Sequence, residues 1–524
     1  MDSPWSPLRR RMFLILWLAQ LGSNIGTWMQ TVGAQWFLVE NSRNPALVSL
    51  VQTANLAPSL LLGLVAGVLA DAFNRRRLIL GANVFAAGAA ATLTVVAALG
   101  LLNPDSLLLY TFLIGCGIAL STPAWQAITP ELVPRKEIQT ASALGSVAIN
   151  TARAVGPAIA GLLVSLVGPA FVFGLNAVSF IGTAAAIYLW RAPDQGAADR
   201  EHMGEALAAG MRYIRAAPRI RRILLRLGLF VFPASALYAL LPVAVNGHLG
   251  LGSTGYGLLL GALGAGAILG VLLLPRARKV VGENALLGIS SVVFAAGAFA
   301  AGYWPAWAVA ILLVASGMAW IFTFSTLNAA MQLTLPEWVR ARGLSIYLMI
   351  SAGSQAVGAV FWGSGATGAG YAPTLAFAAV VLALVGASVL VLPLLPGTGK
   401  LDRSVAAAPN PDLNIPAPVE PPPDAGPVTV LIAYEVPADR ADAFVQAMHE
   451  VRLSRMRTGA THWELVHSIT DRDQFREIYD VPSWREYLRQ EQTRTTGEDR
   501  QLIQRAWDLT EEEPWVRWFL PAPG

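Results

Sequence analysis

The chain has 524 residues, of which 55% are hydrophobic and only 13% charged, where ordinary soluble proteins carry about 25% charged residues. Its 37 basic and 33 acidic residues leave a net charge of +4, and the basic residues lie in short clusters between apolar stretches, which argues against a nucleic-acid partner. A single cysteine, Cys116, excludes a disulfide within the chain, and five histidines without metal-ligand spacing give no reason to expect a metal or other cofactor.

From about residue 12 to residue 396 the sequence is a succession of apolar stretches of roughly 20 residues, the length that crosses a hydrocarbon core of about 30 Å. Spans fall near 12–37, 46–70, 77–101, 106–129, 138–167, 169–190, 222–247, 254–275, 283–302, 305–331, 342–364 and 371–395. This predicts an α-helical membrane protein of twelve transmembrane helices, six to a half. The first span follows Arg9, Arg10 and Arg11 and is too long and too polar for a cleavable signal segment. Further basic clusters occupy Arg75–Arg77, Arg135 and Lys136, the connecting stretch 191–226, Arg276–Lys279, Arg340 and Arg342, and Lys400 and Arg403. They recur on alternate connectors, so the positive-inside rule puts both termini in the cytoplasm.

The first span carries Gln20, Asn24, Thr27, Thr31 and Gln35, a polar stripe on one face of a helix, with Trp28 beside it. In lipid such a face must turn to a cavity or to another helix, and Trp28 offers an aromatic wall to a ring-bearing ligand. In the fifth span, "NTARAVGPAIAG" sets Arg153 in the middle of the membrane. An arginine there costs on the order of 2.5–3.5 kcal/mol on insertion scales, so it faces protein or water. It holds an anionic substrate, switches partners as the protein moves, or bonds carbonyls freed by Pro157. The seventh span places Ser235, Tyr238 and Asn246 around Pro233 and Pro242. No Asp or Glu lies well inside a span, which weakens proton antiport in particular and leaves coupling to an end-of-helix acid or to the substrate.

The chain also repeats itself. "RAVGPAIAG" from Arg153 returns as "QAVGAVFWG" from Gln355, and "GVLADAFNRRR" from Gly67 returns as "GVLLLPRARK" from Gly270, at offsets of 202 and 203 residues. Two homologous halves around a central path form the architecture of an alternating-access transporter. Arg153 has neutral Gln355 as its repeat-mate, so the charge belongs to one half only.

After residue 396 the composition changes. Residues 397–427 are rich in Pro and Ala and read as a semi-extended linker. Residues 428–520 alternate as strand, helix, strand, strand, helices and strand, the order of a ferredoxin-like α+β domain. The domains expected are a six-helix bundle over 1–190, a connector over 191–221 with an amphipathic helix near Met203–Arg215, a second bundle over 222–396, the linker, and a soluble domain over 428–524.

Gly67, Leu69, Ala70, Asp71, Arg75 and Arg76 match the loop after the second helix of the major facilitator superfamily, usually G-x-L-A-D-R-x-G-R-R. Ala72 stands for the usual Arg, and Asn74 for the usual Gly, a mild change where a left-handed turn is needed. Gly156, Pro157 and Gly161 resemble the fifth-helix motif of the superfamily's exporters. With the twelve spans and the tail, the chain resembles the bacterial subgroup of that superfamily containing enterobactin and macrolide exporters (transmembrane secretion effectors). The resemblance implies efflux of a siderophore-, macrolide- or drug-like small molecule through a cavity lined by Gln20, Asn24, Trp28, Arg153, Tyr238 and Gln355. It also implies a cytoplasmic latch of Gly67, Asp71, Arg75 and Arg76, with Asp71 directed at the start of the eleventh helix near Arg340–Gly343, and helix packing or kinking at Gly156, Pro157 and Gly161. Import of a small metabolite is the alternative direction.

The tail's "RTGATHWELVHS" and "EIYDVPSWREYLRQ" resemble small antibiotic-biosynthesis monooxygenase-like domains, although Glu491 follows Gln490 where those domains commonly carry His. A catalytic tail would draw on His449, His462, His467 and Tyr479; a regulatory or dimerising tail is preferred. The expected partners are a small-molecule substrate, membrane lipid and a second copy of the chain through the tail.

Overall fold

The computed structural model describes residues 5–42, 44–190, 203–406 and 420–522, and leaves the side chains at 64, 68, 70–72 and 203–208 undescribed. The chain divides into two compact units. The first holds residues 1–196, 225–327 and 345–393, and the second holds residues 197–224, 328–344 and 394–524.

Long helices build the first unit: α1 (Arg11–Ser42), α2 (Pro45–Ala72), α3 (Arg75–Ala98), α4 (Pro104–Leu132), α5 (Ile138–Val167) and α6 (Pro169–Leu189). Beyond the connector helix α7 (Met203–Ala216) come α8 (Pro218–Gly247), α9 (Ser253–Val281), α10 (Glu283–Tyr303), α11 (Ala306–Thr334), α12 (Glu337–Ala369) and α13 (Tyr371–Ala387). Several start on an asparagine that accepts from the first turn. Asn44 and Asn103 do so ahead of Pro45 and Pro104, whose missing N–H groups are no loss at a helix start.

Among the described residues eleven helices are long and apolar enough to cross a membrane. The sequence predicts twelve; α1 falls short because its polar stripe dilutes its hydropathy, yet it packs along α5 and α6 as a full member of the bundle. The internal duplication is visible in the backbone. α5 ends at Gly168 (φ +90°) and α12 at Gly370 (φ +85°), 202 residues apart, each in a left-handed conformation that glycine adopts without strain. Asn74 behaves otherwise than its place in the motif suggests: its φ is −61°, and its side chain caps α3 by accepting from the Arg77 N–H. The loop therefore needs no left-handed residue at that point.

The second unit is built on a four-stranded antiparallel sheet of β1 (Val428–Glu435), β2 (His462–His467), β3 (Gln474–Val481) and β4 (Trp515–Phe519), in the order β2-β3-β1-β4. α14 (Ala441–Thr458), α15 (Trp484–Arg489) and α16 (Gly497–Trp507) cover one side. Alternate strand residues Val430, Ile432, Tyr434, Phe475, Tyr479 and Val481 meet Phe444, Met448, Trp484, Tyr487 and Ile503 of the helices in one core. This is the ferredoxin-like arrangement that the element order predicts.

The same unit takes in α7, which packs on α14. Tyr213 is buried there, edge-on to Trp338 at 5.6 Å, and Trp338 carries the Arg494 guanidinium 4.8 Å above its ring. Arg212 approaches Glu486 at 3.7 Å, while Arg219 and Arg403 share Glu498 at 2.9 and 2.7 Å. The apolar face of the connector helix thus covers protein. Both described ends of the Pro/Ala-rich stretch are tied to the domain as well, through Gly497 N–H to Ser404 O (3.0 Å) and Trp484 N–H to Ala425 O (2.8 Å).

Candidate functional site

The residues singled out in α1 separate into three groups. Gln20 lines a small pocket with Trp17, Trp125, Ile128 and Thr129, on α1 and α4, two turns away from Trp28. Thr31 and Gln35, at the other end of the stripe, serve to join helices. Asn55 donates to Thr31 Oγ1 (3.2 Å), Gln35 Nε2 donates to the Tyr238 carbonyl (3.3 Å), and the Tyr256 hydroxyl donates to Gln35 Oε1 (2.5 Å). Asn24 and Trp28, one turn apart, form the third group.

Arg153 of α5 comes to this third group. Its guanidinium lies 5.7 Å from the centre of the Trp28 ring, within cation–π range. Its Nε is buried and has no hydrogen-bond partner, and the same holds for Asn24 Nδ2. The carbonyls near Pro157 therefore do not satisfy it. On α8, Tyr238 is buried. Behind Tyr238 stands Trp320 of α11, edge-on at 5.4 Å, which in turn meets Phe230, Phe294 and Phe324. Arg153 of the first half thus lies on Trp28, and Tyr238 with Trp320 forms an aromatic cluster in the second half.

Three acids of this unit near the helix ends are engaged elsewhere: Glu131 pairs with Arg75 at 2.6 Å, Glu137 with Arg10 at 2.9 Å, and Glu40 accepts from Trp36 Nε1 at 2.7 Å. An arginine with an open N–H and a neighbouring open amide is complementary to an anionic oxygen, and the flanking rings are complementary to a planar or apolar group.

Gln355 is half-buried on α12. Its neighbours pack onto other helices: the Ala356 carbonyl accepts from Thr53 of α2 (2.9 Å), and Gly358 lies against Ser235 of α8. Asn246 is exposed near the end of α8.

Gly156 and Gly161 serve close approach. A Cβ at Gly156 would stand 2.8 Å from Trp28 Cβ, and one at Gly161 2.9 Å from Gly257 Cα of α9. Pro157 lies between them, its carbonyl against Gly257, and Gly264 faces Ala154 one turn further along. The α5–α9 seam is thus made of small residues that let two backbones touch.

At the motif loop, Arg75 pairs with Glu131, and Arg76 donates to the carbonyls of Ile187 (3.2 Å) and Tyr188 (2.5 Å), fixing the end of α6. Gly67 has open space around its Cα. The Asp71 side chain lies outside the described residues.

In the tail, the residues named for a catalytic role do not converge. His449, His462 and His467 are exposed, whereas Tyr479 is buried with its ring 4.9 Å from Arg455. Arg455 is only 2% exposed and meets Glu477 (3.2 Å) and Glu491 (3.4 Å); Tyr434 and Trp463 donate to Glu477 (2.7 and 2.9 Å). Burial pushes Glu491 up from the usual carboxylate range against the pull of Arg455, and burial raises the Tyr434 and Tyr479 phenols well above theirs. Nearby, burial would lift Asp499 too, but Arg457 and the Ser454 and Thr496 hydroxyls outweigh it and hold this carboxyl below its usual range.

Among known proteins, the chain matches the transmembrane secretion effector family over residues 2–522. Enterobactin exporter EntS of Citrobacter koseri is 29% identical over 358 residues, covering 67% of this chain and 82% of that one. EntS of Escherichia coli O1:K1 is 28% identical over 310 residues, 57% of this chain and 72% of the relative. Among solved structures, a point mutant of the nucleoside transporter NupG superposes with a TM-score of 0.62 at 12% identity, covering 73% of this chain and 100% of that one. A bacterial homolog of the human lysosomal transporter Spinster, inward-facing and occupied, gives 0.58 at 17% identity, covering 75% and 97%. The chain belongs to the transmembrane secretion effector family of the major facilitator superfamily.

Proposed function

We propose that the protein exports an anionic, ring-bearing amphiphile across the bacterial inner membrane by alternating access of its two halves. The observation that carries this reading is the open Nε of Arg153 on the face of Trp28, with an Asn24 amide, one turn from Trp28, that is also open. An uncompensated cation in an apolar bundle costs free energy until an anion occupies it. The cargo's carboxylate, phenolate or similar oxygen takes that place, Trp28 and Tyr238 flank its rings, and Trp320 backs the second wall. Export as the direction, and the siderophore- or macrolide-like size of the cargo, follow the named function of the EntS relatives and the Gly156, Pro157, Gly161 motif.

The α5–α9 seam is the place where the halves rock on each other, with Asp71 as the latch toward the start of α12. Both termini and the tail lie on the cytoplasmic side, as the basic connectors require. The tail acts as a regulatory or assembly module: its buried Arg455 is neutralised by Glu477 and Glu491.

The test is efflux of paired probes, one anionic and one neutral isostere, from vesicles or cells making equal amounts of wild type, Arg153→Lys and Arg153→Gln. Arg153→Gln lowers export of the anionic probe about tenfold or more, equivalent to at least about 1.4 kcal/mol of binding, and leaves the neutral probe near wild type. Arg153→Lys falls between, since it keeps the charge but not the planar contact with the indole. Equal loss of both probes, or no loss in Arg153→Gln, removes Arg153 from the cargo site.

A further inference from the structure

Gln35 of α1 is buried and uses both ends of its carboxamide, each on a different helix of the second half. Nε2 donates to the Tyr238 carbonyl of α8 (3.3 Å), and Oε1 accepts from the Tyr256 hydroxyl of α9 (2.5 Å). The sequence explains why the Tyr238 carbonyl is open to it. In an α-helix that carbonyl accepts from the N–H four residues later, and the residue there is Pro242, inside α8, which has no N–H. Beside Gln35, Trp36 lies nearly flat on the Tyr256 ring, with centroids 6.2 Å apart and 21° between the planes. All of this sits at the opposite end of α1, α8 and α9 from their basic residues Arg11, Arg222 and Arg278. At the same end α2 meets α12, where Thr53 donates to the Ala356 carbonyl (2.9 Å) and Thr367 to Asn44 Oδ1 (3.2 Å).

We infer that Gln35 is a positioning residue for transport, the clasp that holds the exit end of the two halves shut, an inference that rests on the alternating-access reading above. With the end closed, the Gln35 amide, the Tyr256 hydroxyl and the Tyr238 carbonyl satisfy one another without water. A slight parting of α1 from α8 and α9 strips all three of their partners before water can enter. Buried groups left in that condition are costly, and the carbonyl cannot turn to its own helix for a donor. Full opening removes the cost again, because water then reaches each group. The clasp therefore penalises a half-open exit and leaves two favoured arrangements, closed and dry or open and wet, which is what keeps a transporter from leaking.

Two neighbours on the stripe of α1 show why Gln35 differs from an ordinary packing contact. Thr31, one turn earlier, is bonded by Asn55 of α2, within its own half, so that bond survives when the halves part. Trp28, two turns earlier, carries Arg153 on its ring. Gln35 alone of the three is hydrogen-bonded to the second half, and it does so at Tyr238, whose ring stands edge-on to Trp320. The helices that present Trp28 and Tyr238 to the cargo are thus the ones the clasp ties together.

The test measures spin-label distances on the full chain in lipid bilayers, in a Cys116→Ser background with labels at Asn41→Cys and Asn246→Cys, exposed positions at the ends of α1 and α8. Without cargo, wild type gives mainly the short distance. Gln35→Leu keeps the bulk but leaves the Tyr238 carbonyl and the Tyr256 hydroxyl without partners, and it raises the ratio of long to short distance about tenfold. Adding Pro242→Ala gives the Tyr238 carbonyl a donor in its own helix and returns the ratio most of the way to wild type. That recovery separates loss of the clasp from misfolding. In efflux, Gln35→Leu changes export of the anionic probe and of its neutral isostere by the same factor, unlike Arg153→Gln. An unchanged ratio in Gln35→Leu, a double variant as open as the single, or unequal change of the two probes overturns the clasp. A wild type whose distance responds to the anionic probe, beside an unchanged Gln35→Leu, removes the clasp alone. One fixed distance in wild type with and without that probe removes alternating access, and the clasp with it.

Discussion

Arg153 in the membrane unit and Arg455 in the tail are both cations surrounded by apolar and aromatic groups, and each lies against an aromatic ring. Hydrogen bonding does not separate them, since each leaves a nitrogen without a partner, Nε in one and Nη2 in the other. Charge does. Arg455 has Glu477 and Glu491 within 3.4 Å, so its desolvation is offset inside the fold. In Arg153's unit, Glu131 and Glu137 are paired with Arg75 and Arg10 at the helix ends. A third arginine, Arg226 of α8, shows what a structural intramembrane arginine looks like here: it is 4% exposed and donates to the carbonyls of Leu392 (2.8 Å) and Val385 (3.2 Å) and to Ser388 Oγ (2.9 Å) at the end of α13. A buried charge neutralised or saturated by its own fold is architecture. One left open toward a shared face of two half-bundles is a place for something else.

The comparison breaks most visibly in the tail. Arg455→Met leaves two buried carboxylates facing each other without a cation, and loss of one member of such a cluster costs about 3–5 kcal/mol. Thermal unfolding or hydrogen exchange of the full chain will show the tail opening first, with the membrane helices unaffected. An Arg455→Met tail as stable as wild type would mean that Glu477 and Glu491 simply take up protons, and Arg455 would lose its role as their counter-charge. A smaller effect sharpens the other side. Trp28→Leu keeps an apolar wall but removes the cation–π contact, worth about 0.5–2 kcal/mol, so export of an aromatic anion falls about two- to thirtyfold. Export of an aliphatic anion of equal charge falls less. Parallel loss of both would show that Trp28 packs Gly156 and does not touch cargo.

Much of this is legible in the amino-acid sequence because membrane helices expose their exceptions. Arg153 in mid-span, Trp28 beside a polar stripe and the repeated segments stand out against apolar background, and the glycine ends at 168 and 370 keep the repeat's 202-residue offset. Other residues give no such signal. Trp320 and Tyr256 are aromatics in apolar helices, where periodicity does not tell a lipid-facing ring from a cavity wall. Arg226 reads as the basic flank of a span, since sequence does not distinguish a snorkelling arginine from one turned inward to helix-end carbonyls. Gln20 lines a separate pocket two turns from Trp28, because a stripe several turns long passes more than one environment. In the tail, Glu491 reads as a departure from a catalytic pattern; its partnership with Arg455, 36 residues earlier, exists only once α14 and the turn after α15 pack together.

Glu491 also provides the smallest and most specific test of the balanced cluster. Burial raises its pKa in the folded tail, with Arg455 opposing the effect and Glu477 adding to it. The folded chain therefore binds this proton more tightly than the unfolded chain does. Its contribution to stability is complete below the ordinary carboxylate range and is lost as pH rises through the raised value. Asp499 and Glu486 are shifted the other way, so their contribution is present above the ordinary range and fades only as pH falls below it. Between mildly acidic and neutral pH the slope is thus Glu491's alone among these three. Glu491→Gln, which keeps the shape and removes the ionisation, flattens the decline: the variant's tail melts at nearly the same temperature at about pH 5 and about pH 8, where wild type melts lower at the higher pH. An unchanged wild-type slope in Glu491→Gln would place the titrating proton elsewhere in the cluster and leave Arg455 balanced by Glu477 alone.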